Sequence, residues 1–156
     1  MLARDVRGGN SRDYAPAGAC AGAAAGYAVL MGEIRVQVKL SNFAHPSRRA
    51  TAEMLVDTGA TRISLPSDLV RRLGLKKVAE AQVEYADGRR ARVPVVAPLR
   101  IAIDGRAAVT EALRAPARTE PLLGLVALEI LDLVPDPTTR RLKPKHPGKL
   151  PRMMLK

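Results

Sequence analysis

One acidic residue in a tight turn is the clearest chemical signal of this sequence. Asp57 follows the apolar run Met54-Leu55-Val56 and precedes Thr58 and Gly59. The run predicts a buried strand, and a buried ionised carboxylate is costly unless hydrogen bonds compensate it. Gly59 allows its backbone N–H to approach the carboxylate closely. The pattern therefore predicts a carboxylate stabilised by the turn that follows it, and the alternative is a plain Asp-Gly-type turn after a strand.

The segment from Val56 to Thr61 resembles the active-site motif of the retroviral-type (retropepsin-like) aspartic proteases of clan AA. In that motif a hydrophobic residue precedes Asp-Thr-Gly-Ala/Ser-Thr/Ser. The order of the later segments also resembles the family, with a helix, two hairpins and an apolar-apolar-Gly element before a second short helix. The resemblance covers residues 31–142. It departs from the commoner family pattern at Leu125, where Arg or Asp usually follows the glycine.

The resemblance implies a role for each residue of the motif. Asp57 would be the catalytic carboxylate, and Thr58 would brace two such loops across a dimer axis by hydrogen bonds. Gly59 would hold the carboxylates through its backbone N–H. Ala60 and Thr61 would line the loop and support it.

Two later segments would complete the site in the same way. The family's flap, a hairpin that closes over the substrate, would be formed by Tyr85, Ala86, Asp87, Gly88 and Arg89. The apolar-apolar-Gly element consists of Leu122, Leu123 and Gly124. It would pack beside the turn formed by Asp57 to Thr61, which we call the Asp loop.

A single Asp-Thr-Gly has a consequence for assembly. Peptide hydrolysis of this kind needs two carboxylates about 3 Å apart that share one proton. One acts as a general base on water, while the protonated one hydrogen-bonds the scissile carbonyl. A two-fold homodimer would bring two copies of Asp57 together. We therefore expect an aspartic endopeptidase acting on polypeptide, and the alternative is a dimeric peptide-binding module of the same fold without turnover.

Composition sets limits on other chemistry. Aromatic residues make up only 3% of the 156 residues, so we expect a core of Val, Leu, Ile and Ala. Cys20 is the only cysteine, which excludes an intrachain disulfide and a cysteine-based metal site. His45 and His146 lack the spacing of metal ligands. We expect no metal and no cofactor.

The net charge of +11 is concentrated near the C-terminus, where residues 140–156 carry +7 without any acid. No aromatic stacking platform or recognition motif accompanies this charge, so nucleic acid is not the expected partner. Binding of nucleic acid by the tail stays open as an alternative.

Residues 1–30 do not fit a secretory signal or a membrane span, and the cytoplasm is the expected location.

The predicted organisation has three parts: residues 1–30 as a disordered or non-native extension, residues 31–142 as the protease domain, and residues 143–156 as a basic tail. We predict an all-β fold, a retropepsin-like half-barrel of antiparallel strands with one or two short helices. Ser67 or Asp68 should cap the first helix and Gly74 should end it. Asp-Gly pairs predict hairpin turns at Asp87-Gly88 and Asp104-Gly105.

Overall fold

The computed structural model describes residues 32–148 and 150–152. The predicted N-terminal extension, residues 1–30, lies outside them. The described part has nine strands and two helices, which in chain order are β1 (Arg35–Asn42), β2 (Arg49–Asp57), β3 (Ile63–Pro66), α1 (Ser67–Leu73), β4 (Lys76–Glu84), β5 (Arg90–Ile103), β6 (Arg106–Ala115), β7 (Leu122–Gly124), α2 (Leu125–Ile130), β8 (Leu133–Asp136) and β9 (Arg141–Pro144).

Seven strands form one sheet in the order β1-β2-β7-β3-β6-β5-β4. A further pairing between β1 and β5 closes six of them into a barrel, and β4 extends from β5. Strands β8 and β9 form a separate antiparallel pair. The structure confirms the predicted β fold with two short helices. The sheet also contains two parallel pairings, β2 with β7 and β3 with β6, because β7 inserts between β2 and β3.

Alternation of apolar and polar residues explains the barrel wall. Strand β1 buries Val38 and Leu40 and exposes Lys39, as its period of two requires. Strands β1 and β2 are antiparallel, with Val38 opposite Ala52. The buried core is aliphatic except for Met54. The largest fully buried side chains of the described residues are Leu40, Met54, Ile63, Leu65, Leu73, Leu99, Ile101, Leu123, Leu128, Leu131, Val38 and Val95.

Strand β5 serves both predicted hairpins as one continuous strand of 14 residues. Its first half pairs with β4, with Glu84 opposite Arg90, and β6 pairs with it along most of its length. The β5–β6 turn has φ of 46° at Asp104 and 84° at Gly105. Positive φ at both central residues favours Asp-Gly, so this turn follows from the sequence.

Helix α1 differs from its prediction at one end. Pro66 occupies the N-cap position with extended backbone, and no side chain caps the helix. The predicted cap by Ser67 or Asp68 is therefore wrong. Both residues lie inside the first turn, and the Oδ1 atom of Asp68 accepts a hydrogen bond from the backbone N–H of Arg118 at 3.2 Å. The predicted end is confirmed, since Gly74 adopts φ of 63° after the last helical residue.

The segment after β9 contacts the barrel. Arg106 at the start of β6 is buried, and its Nη2 atom donates to the backbone oxygens of His146 at 2.9 Å and Gly148 at 2.7 Å. The backbone N–H of Arg152 donates to Oδ2 of Asp132 at 3.4 Å, so residues assigned to the basic tail are hydrogen-bonded to the domain as far as Arg152. Neither of the two described helices is long and apolar enough to cross a membrane.

Candidate active site

Asp57 is the last residue of β2, at the point where the chain leaves the barrel wall. Its side chain is half-buried, and its Oδ1 atom accepts a hydrogen bond from the backbone N–H of Gly59 at 2.9 Å. A Cβ added at Gly59 would lie 3.2 Å from that oxygen. The glycine therefore leaves room for the carboxylate and donates to it, as the sequence predicts.

Two backbone hydrogen bonds connect the start of helix α2 to the Asp loop. The backbone N–H of Leu125 donates to the oxygen of Ala60 at 2.8 Å, and the N–H of Val126 donates to the oxygen of Thr61 at 3.0 Å. Within the loop, the N–H of Ala60 donates to the backbone oxygen of Asp57 at 3.2 Å. Two amides at the start of α2, which no intrahelical carbonyl could satisfy, thus find partners in the loop.

Strand β7 approaches the loop so closely that only glycine fits at its end. Asp57 lies opposite Gly124 in the parallel pairing of β2 and β7. A Cβ at Gly124 would lie 2.4 Å from the backbone oxygen of Arg62 and 2.7 Å from that of Ala60. Leu123 is buried in the barrel and Leu122 is half-buried. The element predicted to be structural therefore lies directly against the Asp loop.

Both threonines of the motif are exposed. No hydrogen bond joins the hydroxyl of Thr58 or Thr61 to another residue of the described part of the chain. The proposed brace by Thr58 requires a second chain and stays a prediction.

The predicted flap residues form the exposed tip of the β4–β5 hairpin. Backbone hydrogen bonds of 2.8 Å run from Tyr85 N–H to Arg89 oxygen and from Gly88 N–H to Tyr85 oxygen. Asp87 accepts from the backbone N–H of Arg89 at 3.0 Å and from its Nε at 2.6 Å, and these bonds lower the pKa of Asp87. The Arg89 guanidinium lies 5.5 Å from the centre of the Tyr85 ring. Ala86 is part of the same exposed turn.

An open cleft of about 690 Å³ lies between the Asp loop and the flap hairpin. Of the predicted site residues it brings together Gly59, Ala60, Thr61, Tyr85 and Leu122. The predicted site residues that do not line it are Asp57, Thr58, Ala86, Asp87, Gly88, Arg89, Leu123 and Gly124. The remaining lining residues were not among the predicted site residues, although Ala81 to Glu84 and Val93 belong to the hairpin predicted as the flap. They are Arg62, Ser64, Ala81, Gln82, Val83, Glu84, Val93, Leu113, Arg114, Ala115, Pro116, Thr119 and Glu120.

The chain matches one family over these same elements. The family model described as "gag-polyprotein putative aspartyl protease" matches residues 48–129, more than half of the chain. This chain belongs to that family. The predicted resemblance to retroviral-type aspartic proteases is confirmed, and the match includes the Asp loop, the flap hairpin and the Leu-Leu-Gly strand.

Among solved structures, this chain is similar to "EIAV protease complexed with the inhibitor HBY-793", with 21% identity and a TM-score of 0.47. That match covers 62% of this chain and 86% of the EIAV chain. No curated protein matches the chain.

Charges in the cleft of this family member are mostly paired. Arg62 pairs with Glu111, Glu120 pairs with Arg35, and the Glu84 carboxylate lies 2.7 Å from Nε of Arg90. Arg62–Glu111 and Arg35–Glu120 join residues far apart in the sequence, which no sequence spacing indicates, whereas Glu84 and Arg90 flank the predicted hairpin turn. Residues 32–148 and 150–152 contain no group of three or more His, Cys, Asp or Glu that could hold a metal ion.

Proposed function

We propose that this protein is an aspartic endopeptidase whose catalytic site forms from two copies of Asp57 across a homodimer. The observation that carries the proposal is the position of Asp57. The residue ends a barrel strand, is half-buried, and receives a hydrogen bond from Gly59, which itself lines the open cleft. A carboxylate in this position is oriented by the backbone and remains accessible to a partner and to substrate.

In the proposed mechanism the two carboxylates share one proton, because two like charges at about 3 Å cannot both ionise cheaply. The ionised Asp57 removes a proton from the attacking water, and the protonated Asp57 donates a hydrogen bond to the scissile carbonyl. The exposed hydroxyl of Thr58 is free to contact the partner loop. The N–H of Gly59 holds the charged oxygen during this proton exchange.

The cleft is suited to an extended peptide. Apolar side chains of Val83, Val93 and Leu122 line it, together with the ring of Tyr85. We propose that the flap hairpin grips the substrate through main-chain hydrogen bonds, in the way that a peptide adds a strand to a sheet edge. Strand β4 supplies that edge, because it is the last strand of the sheet.

The test is the substitution Asp57→Asn. The amide keeps the size of the side chain but can neither share the proton nor act as a base. Cleavage of an unfolded polypeptide such as reduced, alkylated casein should fall by at least about 10³-fold. The melting temperature should stay close to that of the wild type, because the Asn side-chain oxygen still accepts from Gly59.

A matched control is Asp104→Asn in the β5–β6 turn, since Asn tolerates the left-handed backbone there. This variant should cleave at the wild-type rate. Unchanged cleavage by Asp57→Asn would overturn the proposal. If the wild-type protein binds unfolded polypeptide at acidic and neutral pH but never cleaves it, the binding-module alternative holds instead.

A further inference from the structure

A second groove lies on the outer face of the barrel, at the end of β2 opposite to Asp57. Arg49 begins β2 and Asp57 ends it, so the groove and the catalytic loop are separated by about 25 Å of strand. The groove has a volume of about 570 Å³. Its lining residues come from β1, β2, β5 and the β1–β2 loop, and they are Lys39, Leu40, Ser41, Asn42, Phe43, Pro46, Arg49, Ala50, Thr51 and Arg100.

Strand register places the basic residues around short side chains. Ser41 of β1 lies opposite Arg49 on one side and opposite Arg100 on the other. Lys39 shares the exposed face with Ser41, because residues two apart on a strand point the same way, and it lies opposite Thr51. The long side chains of Lys39, Arg49 and Arg100 therefore surround the short side chains of Ser41 and Thr51, which form the bottom of the groove.

The positive charge of this groove is not neutralised by acidic side chains of the described residues. Lys39, Arg49 and Arg100 are exposed and form no ion pair with any carboxylate of residues 32–148 and 150–152. The lining residues include no Asp or Glu. Neighbouring like charges on a sheet repel each other, so the face gains stability from an anion that binds all three.

Phe43 adds a flat apolar surface at the same groove. It is the only phenylalanine of the chain, and 57% of it is exposed. The loop around it is held in place, because Phe43 N–H donates to Pro98 oxygen at 3.0 Å. The buried side chain of Asn42 donates to the oxygens of Leu73 and Gly74 at 3.1 Å and accepts from the N–H of Ala44 at 2.9 Å.

We propose that this groove binds single-stranded nucleic acid, with its phosphates on Lys39, Arg49 and Arg100 and a base stacked on Phe43. Proteins that bind single strands combine a positively charged groove with an aromatic platform, and both are present here. An acidic peptide would satisfy the cations but would stack on the ring only where it carries an aromatic side chain, whereas every nucleotide has a base that can stack. The net charge of +11 attracts any polyanion to the surface, and the groove supplies the contacts that hold one.

The test measures binding of a fluorescein-labelled ten-nucleotide oligouridylate to the full chain by fluorescence anisotropy at several salt concentrations. Arg49→Glu/Arg100→Glu should weaken binding at least tenfold. It should also reduce the slope of log affinity against log salt by about 1.4, since each lost phosphate contact of a single strand removes about 0.7. Arg49→Gln/Arg100→Gln, with no charge reversal, should reduce the slope equally and covers the case in which the Glu variant fails to fold.

The matched control is Arg72→Glu/Arg92→Glu, which changes the net charge equally at two exposed residues outside the groove. It should weaken binding much less than the groove variant. Phe43→Ala should weaken binding about fivefold or more with an unchanged salt slope, because stacking does not release counterions.

Equal weakening by the groove and control variants would overturn the proposal, because binding would then reflect net charge alone. Displacement of the oligouridylate by polyglutamate as readily as by unlabelled oligouridylate would overturn the assignment to nucleic acid. Absence of wild-type binding at low salt would also overturn it. None of these results bears on Asp57, so the protease proposal is tested separately.

Discussion

At the scale of single residues, two aspartates show how surroundings decide what a carboxylate does. Asp57 is half-buried and accepts one backbone hydrogen bond, from a glycine that lines the open cleft. Asp132 is 3% exposed, and its oxygens lie 3.0 Å from Nη1 of Arg106 and 2.7 Å from Nδ1 of His146. Asp132 therefore stabilises the fold, and His146, which the sequence indicated as a tail residue, is its partner.

The pKa of Asp132 makes this role testable. Burial alone would raise that pKa, but the hydrogen bonds from His146 and Arg106 outweigh burial and lower it from 3.8 to about 2. A carboxylate with a lowered pKa in the folded state stabilises the protein above its unfolded pKa, and the contribution disappears as the pH falls. We expect the free energy of unfolding to fall between about pH 4 and about pH 2 as Asp132 becomes protonated.

Urea unfolding at a series of acidic pH values measures this effect. Asp132→Asn should be less stable than the wild type at neutral pH. Its free energy of unfolding should also depend less steeply on pH between about pH 4 and about pH 2. Asn tolerates the φ of 55° at this position, so the substitution isolates the charge. Asp104→Asn, at a turn with a similar φ of 46°, should retain the wild-type slope. If the free energy of unfolding of Asp132→Asn falls with pH as steeply as that of the wild type, Asp132 is not the source of the acid dependence.

At the scale of elements, the junction between β7 and the Asp loop is the most constrained contact of the site. Replacing Gly124 with Ala would put a Cβ 2.4 Å from the Arg62 oxygen, against backbone that has no rotamer to change. Either β7 or the loop must move. We expect Gly124→Ala to lower the free energy of unfolding by about 1–3 kcal/mol and to reduce peptide cleavage, since the loop carries Asp57.

Thermal unfolding and cleavage of casein by the same preparation measure both effects. Gly105→Ala is the control, because it strains a left-handed residue with φ of 84° but meets no atom within 4 Å. It should lower stability and leave the cleavage rate of the folded protein unchanged. Full activity in Gly124→Ala would show that the loop tolerates the displacement and that its contact with β7 does not position Asp57.

At the scale of the whole molecule, each chain has one Asp-Thr-Gly sequence, so the proposed activity should depend on pairing. Mixing the wild type with an equal amount of Asp57→Asn and allowing exchange should leave both carboxylates in about a quarter of the dimers. Total cleavage should therefore fall to about half of that of the unmixed wild type at the same wild-type concentration. Sedimentation equilibrium of the same mixture gives the fraction of dimer.

Dilution supplies the control for this experiment. Specific activity should fall when the concentration drops below the dissociation constant of the dimer, and it should recover on concentration. A monomer that sediments as a single chain and retains its full specific activity would contradict the shared site.

Sequence patterns alone predicted the parts of this protein that neighbouring residues decide. The Asp-Gly turn at Asp104 and the αL end of α1 at Gly74 depend on local backbone preferences, and the structure has both of them. The Asp loop was recognisable for the same reason, since its hydrogen bond from Gly59 spans only two residues. The predicted cap of α1 failed because Pro66 took the N-cap position and left Asp68 to bond Arg118.

Contacts between distant segments were decided only by the tertiary structure. Strand β7 inserts between β2 and β3, Arg106 meets Asp132 and His146, and Arg49, Arg100 and Phe43 share one groove. No local spacing encodes these contacts, because each arises when barrel closure brings together strands that are far apart in the chain. The sequence alone determined the carboxylate and its turn, whereas the closed barrel decided which other residues surround it.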